Sequence, residues 1–382
     1  YKDLQKRLNE SKFDWLSANV KLKTKNGSEL FYKEINGKKE PTKETFIKEF
    51  TDADGTKIKV GFISVCIPSN PKDYVEYGGE IIRARASYNL IKDKVDVVFG
   101  LTHVKKEMDV KIAEFIPELP LIMGGHEHTN MGIPVGDVFI RKADANAKTA
   151  YIHRISYDKK TKKVVVNSEL KEINDSIKID EKVGTIVAKW QKILKEKIKE
   201  VIDNPDEVIF TAKEPLDARD TPIRSIQTNM GDLITQSMSF AYDDKVDCAL
   251  VNGGSIRIDD ELEGDINAVD IFRVLPYGGA VLKVKLKGSL LKRVLNYGLK
   301  AAGTGAYLQR YNVEKVGEKW LVKNKSIIDS KTYTVAFSDY LLRGFDIPFL
   351  SDKNEDVLSI YRPKSDEKAY DIRKSVIDFL KK

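Results

Sequence analysis

The chain has 382 residues, of which 41% are hydrophobic and 32% charged, with a net charge of +7. This is the composition of a globular protein, and the length favours two domains over one. No apolar run reaches the roughly 18 residues of a membrane span, and the lysines are interleaved with Asp and Glu, which reads as solvated surface and not as a nucleic-acid patch.

The sequence opens at Tyr1 with the amphipathic segment "YKDLQKRLNE". "FDWLSANV" reads as a short apolar strand and "KIKVGFISVCIP" as a longer one, ended by Pro68. "GGEIIRARASYNLIKD" carries apolar positions at helical spacing. "KVDVVFGLTHV" and "LPLIMGGHEH" are near-continuous apolar runs that end in polar turns. Buried strands separated by helices predict an α/β sheet with parallel elements. "TAYIHRISYD" and "KKVVVNSELKEI" read as a strand pair. In the following segment, Val183, Ile186, Val187, Trp190, Ile193, Leu194, Ile198 and Val201 recur at spacings of three and four, and Asp180 stands as N-cap. The spacing predicts one long amphipathic helix joining two blocks. The second block holds a helical "SIQTNMGDLITQSMSFAY" and strands in "VDCALVNGG", "GAVLKVKLKG", "KWLVKN" and "KTYTVAFSD", a mixed α+β pattern. The domain reading is 1–175, a linker helix over 176–204, and 205–382.

Two cysteines, Cys66 and Cys248, fall in strand-like runs far apart, so neither a disulfide framework nor a zinc-type CxxC is expected. The histidines carry more chemistry. Only four occur, and His103, His126 and His128 each fall just past an apolar run. In an α/β sheet that position is the carboxyl end of a strand, where ligand groups gather. Neutral imidazole is a common ligand of divalent transition metals. A tight turn, which Gly124 and Gly125 would permit, could bring His126 and His128 to one site with His103 beside them. His153, inside an alternating strand, reads as an ordinary structural histidine.

"LTHV" followed by "GGHEHT" resembles the last two metal-ligand blocks of the calcineurin-like metallophosphoesterases. "LDARDTPIRSIQTNMGDLI", "LVNGGSIR", "EGDI", "VLPYGG" and "GTGAYLQ" follow in an order that resembles the C-terminal substrate domain of the 5′-nucleotidase family. The resemblance covers essentially the whole chain. It implies a metallophosphoesterase α/β sandwich joined by a long helix to a nucleotide-binding α+β domain. It further implies a metal-dependent phosphohydrolase that releases phosphate from nucleoside 5′-monophosphates, with two divalent ions (Zn, Mn or similar) activating water. His103 and His126 would hold one metal and His128 the other.

The family's Asp-x-His, Gly-Asp and Gly-Asn-His-Glu blocks are not found in residues 1–100, and no histidine precedes His103. The resemblance therefore implies that the chain starts just beyond them, that the catalytic residues lie upstream, and that this chain alone is inactive. In the second block, Arg219, Arg224 and Arg257 match arginines that approach the phosphate or sugar of the substrate. Asn252 and the glycines of "NGGSIR", Gly254 among them, would allow a tight turn. Tyr277 and Tyr340 match the two aromatic faces that stack on the base, Gly305 the pocket wall, and Asp346 the group that meets ribose hydroxyls. Gly279 stands where many relatives carry Asn, and "RGFDIPF" replaces their "GGDG". Nucleotide-sugar pyrophosphatase, 2′,3′-cyclic phosphodiesterase, or a non-catalytic nucleotide-binding module are the competing readings. The expected partner is a small-molecule nucleotide, and the resemblance implies export to the periplasm or cell surface.

Overall fold

The computed structural model describes residues 1–68 and 72–382. It divides into two compact units, Tyr1–Lys178 and Ile179–Lys382.

The first unit is built on a six-stranded sheet in the order Met131–Val135, Val138–Lys142, Leu121–Gly124, Val97–His103, Lys57–Cys66, Thr45–Thr51. The four inner strands are parallel and the two edges antiparallel. Both faces are covered, which is why the inner strands read as unbroken apolar runs. On one face, Ile63, Val65 and Val98 pack with Ala84, Tyr88 and Ile91 of the helix Glu80–Ile91 and with Ile112 and Ala113 of Lys106–Phe115. On the other, Val60, Val97, Phe99 and Leu121 meet Tyr157, Val164 and Val166 of the hairpin Thr149–Asp158/Lys163–Glu172.

"FDWLSANV" is not a strand. Leu16 makes an isolated bridge to Lys43, and the regular strand begins at Val20. Scattered backbone bonds, Ser17 N to Lys43 O and Ala18 N to Ser64 O, stand in for a ladder, and the buried side chain of Asn19 supplements them. It donates to Cys66 O at 2.7 Å and Gly78 O at 3.2 Å and accepts from Cys66 N at 2.9 Å.

The long helix forms over Glu181–Lys199, with the Asp180 carboxylate accepting from Val183 N at 2.9 Å. It clusters with the second unit. That unit is built on a five-stranded mixed sheet ordered Leu308–Tyr311, Cys248–Asn252, Thr332–Ser338, Val281–Lys287, Val357–Tyr361. Alternate residues of Cys248–Asn252 feed two separate cores: Ala249 and Val251 pack with Ile234, Met238 and Val376, while Cys248 and Leu250 pack with Leu290, Val294 and Phe337. This is the two-residue period of a strand buried on both faces. Among the described residues, no helix is long and apolar enough to cross a membrane.

Candidate functional site

The parallel register of the first unit sets His103 opposite Cys66, and Thr102 opposite Gly124. Both neighbouring strands therefore end on one rim, and the Gly125–His128 turn lies beside His103. The His103 and His126 rings stand 5.6 Å apart, edge to face at 74°. Partial burial, then His126, His128 and Lys142, hold the His103 imidazole below its ordinary range. It is therefore the neutral, ligand-competent form at neutral pH.

The turn is not built as the sequence implied. The left-handed residues are His126 (φ 100°) and His128 (φ 62°) themselves, not the glycines before them. The glycines supply room instead. A Cβ at Gly125 would come within 2.9 Å of His103 Nδ1, and one at Gly124 within 2.8 Å of Lys142 Cε. Three further residues gather under this rim: Lys142, Asp109 and Glu127, linked at 2.6–2.7 Å.

Among the described residues, no group of three or more His, Cys, Asp or Glu side chains is arranged to hold a metal by itself. Two imidazoles edge to face fit part of the coordination of a divalent transition metal and fall short of a closed four-ligand site.

In the second unit, Asn252 ends the strand Cys248–Asn252 and is buried. Its Nδ2 donates to Asp346 Oδ2 at 2.8 Å, and Ser255 Oγ donates to its Oδ1 at 2.7 Å. The Tyr340 hydroxyl donates to Asp346 Oδ1 at 3.2 Å. Burial first, then the Asp346 charge, raises the Tyr340 phenol above its ordinary range, with Tyr277 near enough to contribute. Gly254 N donates to Gly305 O at 2.9 Å, and a Cβ on Gly254 would lie 3.0 Å from Gly305 Cα. The glycines of "NGGSIR" thus serve close backbone approach, since neither Gly253 nor Gly254 has a positive φ.

Gly303 N donates to Arg224 O, which ties the Arg224 turn to the same wall. The Arg224 guanidinium lies 2.6 Å from Asp220, and its Nε is buried without a hydrogen-bond partner among the described residues. Arg219 is exposed and its fork is taken by Asp217 at 2.9 and 2.8 Å. Arg257 is also exposed, with its backbone N bonded to Val274 O, three residues before Tyr277. Tyr277 is 74% exposed, on a turn whose Gly278 and Gly279 have φ of 61° and 98°. Asn252, Gly254, Gly305, Tyr340 and Asp346 therefore form one linked cluster, with Tyr277 and Arg224 at its margin. Arg219 points its charge elsewhere.

Two residues here escaped the sequence reading. Phe345, 71% exposed, lies 6.0 Å ring to ring from Tyr340. Its signal was the aromatic inside "RGFD". Gln309 is fully buried and bonds Thr228 N, Ile223 O and Ile226 O. It lies at the end of "GTGAYLQ", but only its distant partners show what it does.

The family model described as 5′-nucleotidase, C-terminal domain, matches residues 208–351, the span that contains all of these second-unit residues. The 5′-nucleotidase of Bos taurus is 27% identical over 337 residues, covering 79% of this chain and 56% of that protein. Residues 208–351 thus match the C-terminal domain of the 5′-nucleotidase family, and the longer alignment makes the chain similar to 5′-nucleotidases beyond that span. A second similar protein, the trifunctional nucleotide phosphoesterase protein YfkN of Bacillus subtilis (strain 168), is 26% identical over 324 residues, covering 77% of this chain and 22% of that protein. The chain thus spans little more than half the length of the bovine 5′-nucleotidase, and less of YfkN. The 5′-nucleotidase precursor of Thermus thermophilus shares the fold with a TM-score of 0.67 at 19% identity, over 99% of this chain and 77% of that one.

Proposed function

We propose that this chain forms part of a metal-dependent phosphohydrolase that releases phosphate from nucleoside 5′-monophosphates. The observation that carries this reading is the Asn252–Asp346–Tyr340 cluster beside an exposed Tyr277. A nucleotide offers a flat base at one end and an anion at the other. A reader therefore needs aromatic faces and forked cations.

In this reading Tyr277 and Tyr340 take the base, and the Asp346 carboxylate, oriented by Asn252, accepts from ribose hydroxyls. Arg224 and Arg257 face the phosphate, and Gly254 and Gly305 form the wall. Arg219 acts indirectly, by holding Asp217. His103 and His126 would hold one divalent ion and His128 a second. When bound, such ions supply a Lewis acid and a water of lowered pKa. The neutral state of His103 supports this role, because a protonated imidazole has no lone pair to give. The YfkN name keeps other nucleotide phosphoesters, such as cyclic or sugar-linked ones, within the same reading. Export, as the family resemblance implies, belongs to the proposal too.

Calorimetry of the full chain with AMP and adenosine tests the pocket. Both should bind without metal. Tyr277→Ala should weaken both by about 1–3 kcal/mol, the worth of one base–aromatic stack. Arg257→Ala should weaken AMP more than adenosine. A folded chain that binds neither ligand would remove the basis for this function.

A further inference from the structure

Lys142 is among the largest fully buried side chains in the protein, with 1% of its side chain exposed. It ends the strand Val138–Lys142 and pairs with Gly124 on the neighbouring strand. An ammonium has three protons. Those of Lys142 go to Val104 O at 2.7 Å, Gly125 O at 2.9 Å and Glu127 Oε2 at 2.6 Å. Asp109 Oδ2 is a fourth neighbour at 2.7 Å, an ionic contact outside hydrogen-bonding geometry. Asp109 is anchored in turn by Thr102 Oγ1 at 2.7 Å, and Glu127 by the backbone N of Lys106.

The three acceptors share a property. Val104 follows His103, Gly125 precedes His126, and Glu127 lies between His126 and His128. One buried nitrogen therefore grips the chain next to every histidine of the rim. Two of these grips also bracket His126, whose φ of 100° is costly for a residue with a side chain. Burying an ammonium costs several kcal/mol unless it is fully paired, and apolar residues of similar volume often serve stability as well or better. Packing alone thus gives no reason for a lysine here.

We propose that Lys142 is the positioning residue of the histidine rim: its buried ammonium fixes the backbone beside His103 and His126, and the Glu127 side chain between His126 and His128, so that the imidazoles face a divalent cation. The cation rests on the function proposed above; the positioning does not.

The test uses the full chain with Lys142→Met and two readouts. The first is the imidazole NMR resonances of the metal-free protein, with His153 as internal control. The second is Zn²⁺ affinity by calorimetry. We expect the His103, His126 and His128 resonances to move while His153 stays, and Zn²⁺ affinity to fall about 10–100-fold, as for other groups that orient metal ligands. Because Lys142→Met leaves Asp109 and Glu127 buried without their partner, it can lose the fold. Lys142→Met with Asp109→Asn removes one of those charges. Glu127→Ala keeps the lysine and its grip on Val104, and should move His126 and His128 more than His103. Folded variants with wild-type imidazole resonances overturn the positioning role, whatever their metal affinity. A wild-type chain that takes up no Zn²⁺ overturns the metal reading instead, and the resonances still decide the role of Lys142.

Discussion

His103 and His153 are chemically the same residue, and their neighbours separate them. His103 closes a parallel strand and meets His126 edge to face. His153 lies mid-hairpin, stacked on Tyr151 at 5.6 Å, with Nδ1 bonded to Ser168 Oγ at 2.8 Å. Burial, and then the Arg141 cation, push the His153 imidazole below its ordinary 6.5. Between its folded value and 6.5 the unfolded chain holds a proton that the native chain lacks. Stability therefore falls as pH drops through that window. The ring titration of His153, followed by NMR, should have its midpoint below 6.5. Arg141→Gln should raise that midpoint without restoring 6.5, because burial is the larger cause. A wild-type midpoint at or above 6.5 would contradict this account. Sequence separated the rim histidines from His153 by position alone, because the first three follow apolar runs. It carried no sign of the left-handed backbone at His126 and His128, and Lys142, which bonds the Gly125 carbonyl just before that turn, lies outside the motif.

The same limit acts on whole elements. Strands buried on both faces were legible as apolar runs, and helices as three-and-four spacing. "FDWLSANV" misled because its bonds are scattered, from backbone to Lys43 and Ser64 and from the Asn19 side chain to Cys66 and Gly78, and form no regular ladder. Gly231 shows the effect in a helix. It sits near the start of Asn229–Phe240, where glycine ordinarily costs stability and alanine would restore roughly 0.5–1 kcal/mol. Here a Cβ would lie 2.1 Å from Gln309 Oε1, 2.4 Å from its Cδ and 2.6 Å from its Cγ. Gln309 has nowhere to retreat without releasing the buried Thr228 N and the carbonyls of Ile223 and Ile226. Gly231→Ala should therefore destabilise by about 2–4 kcal/mol, the sum of overpacking and of polar groups left unpaired. Urea unfolding measures it, and a gain in stability would show that Gln309 is not locked. Because Ile223 and Ile226 flank Arg224, the same substitution should also weaken AMP binding.

At the scale of the molecule, the second unit owns two hydrophobic cores on either side of its sheet. A domain with its own core folds alone. The helix Glu181–Lys199 contributes little to those cores. Val183, Ile186, Trp190 and Leu194 stay exposed, and Ile198 is its one buried residue among those described. Its apolar stripe was plain in the sequence, but what a stripe packs against is a tertiary fact that spacing does not encode. The segment 196–382 should consequently unfold in one cooperative step with a midpoint close to that of 179–382. The protein offers a clean reporter for this. Of the three tryptophans, Trp15 and Trp190 lie outside 196–382, which leaves Trp320. Trp320 is 3% exposed, and its Nε1 donates to Asn296 Oδ1 at 2.8 Å. Its fluorescence in the isolated segment should be that of a buried indole and shift to the red as urea unfolds the domain. Emission already at the solvent-exposed position in water, or a broad transition without a baseline, would mean that the two cores need more of the chain than this segment holds. If the segment folds, AMP affinity equal to that of the full chain would place nucleotide recognition wholly within it.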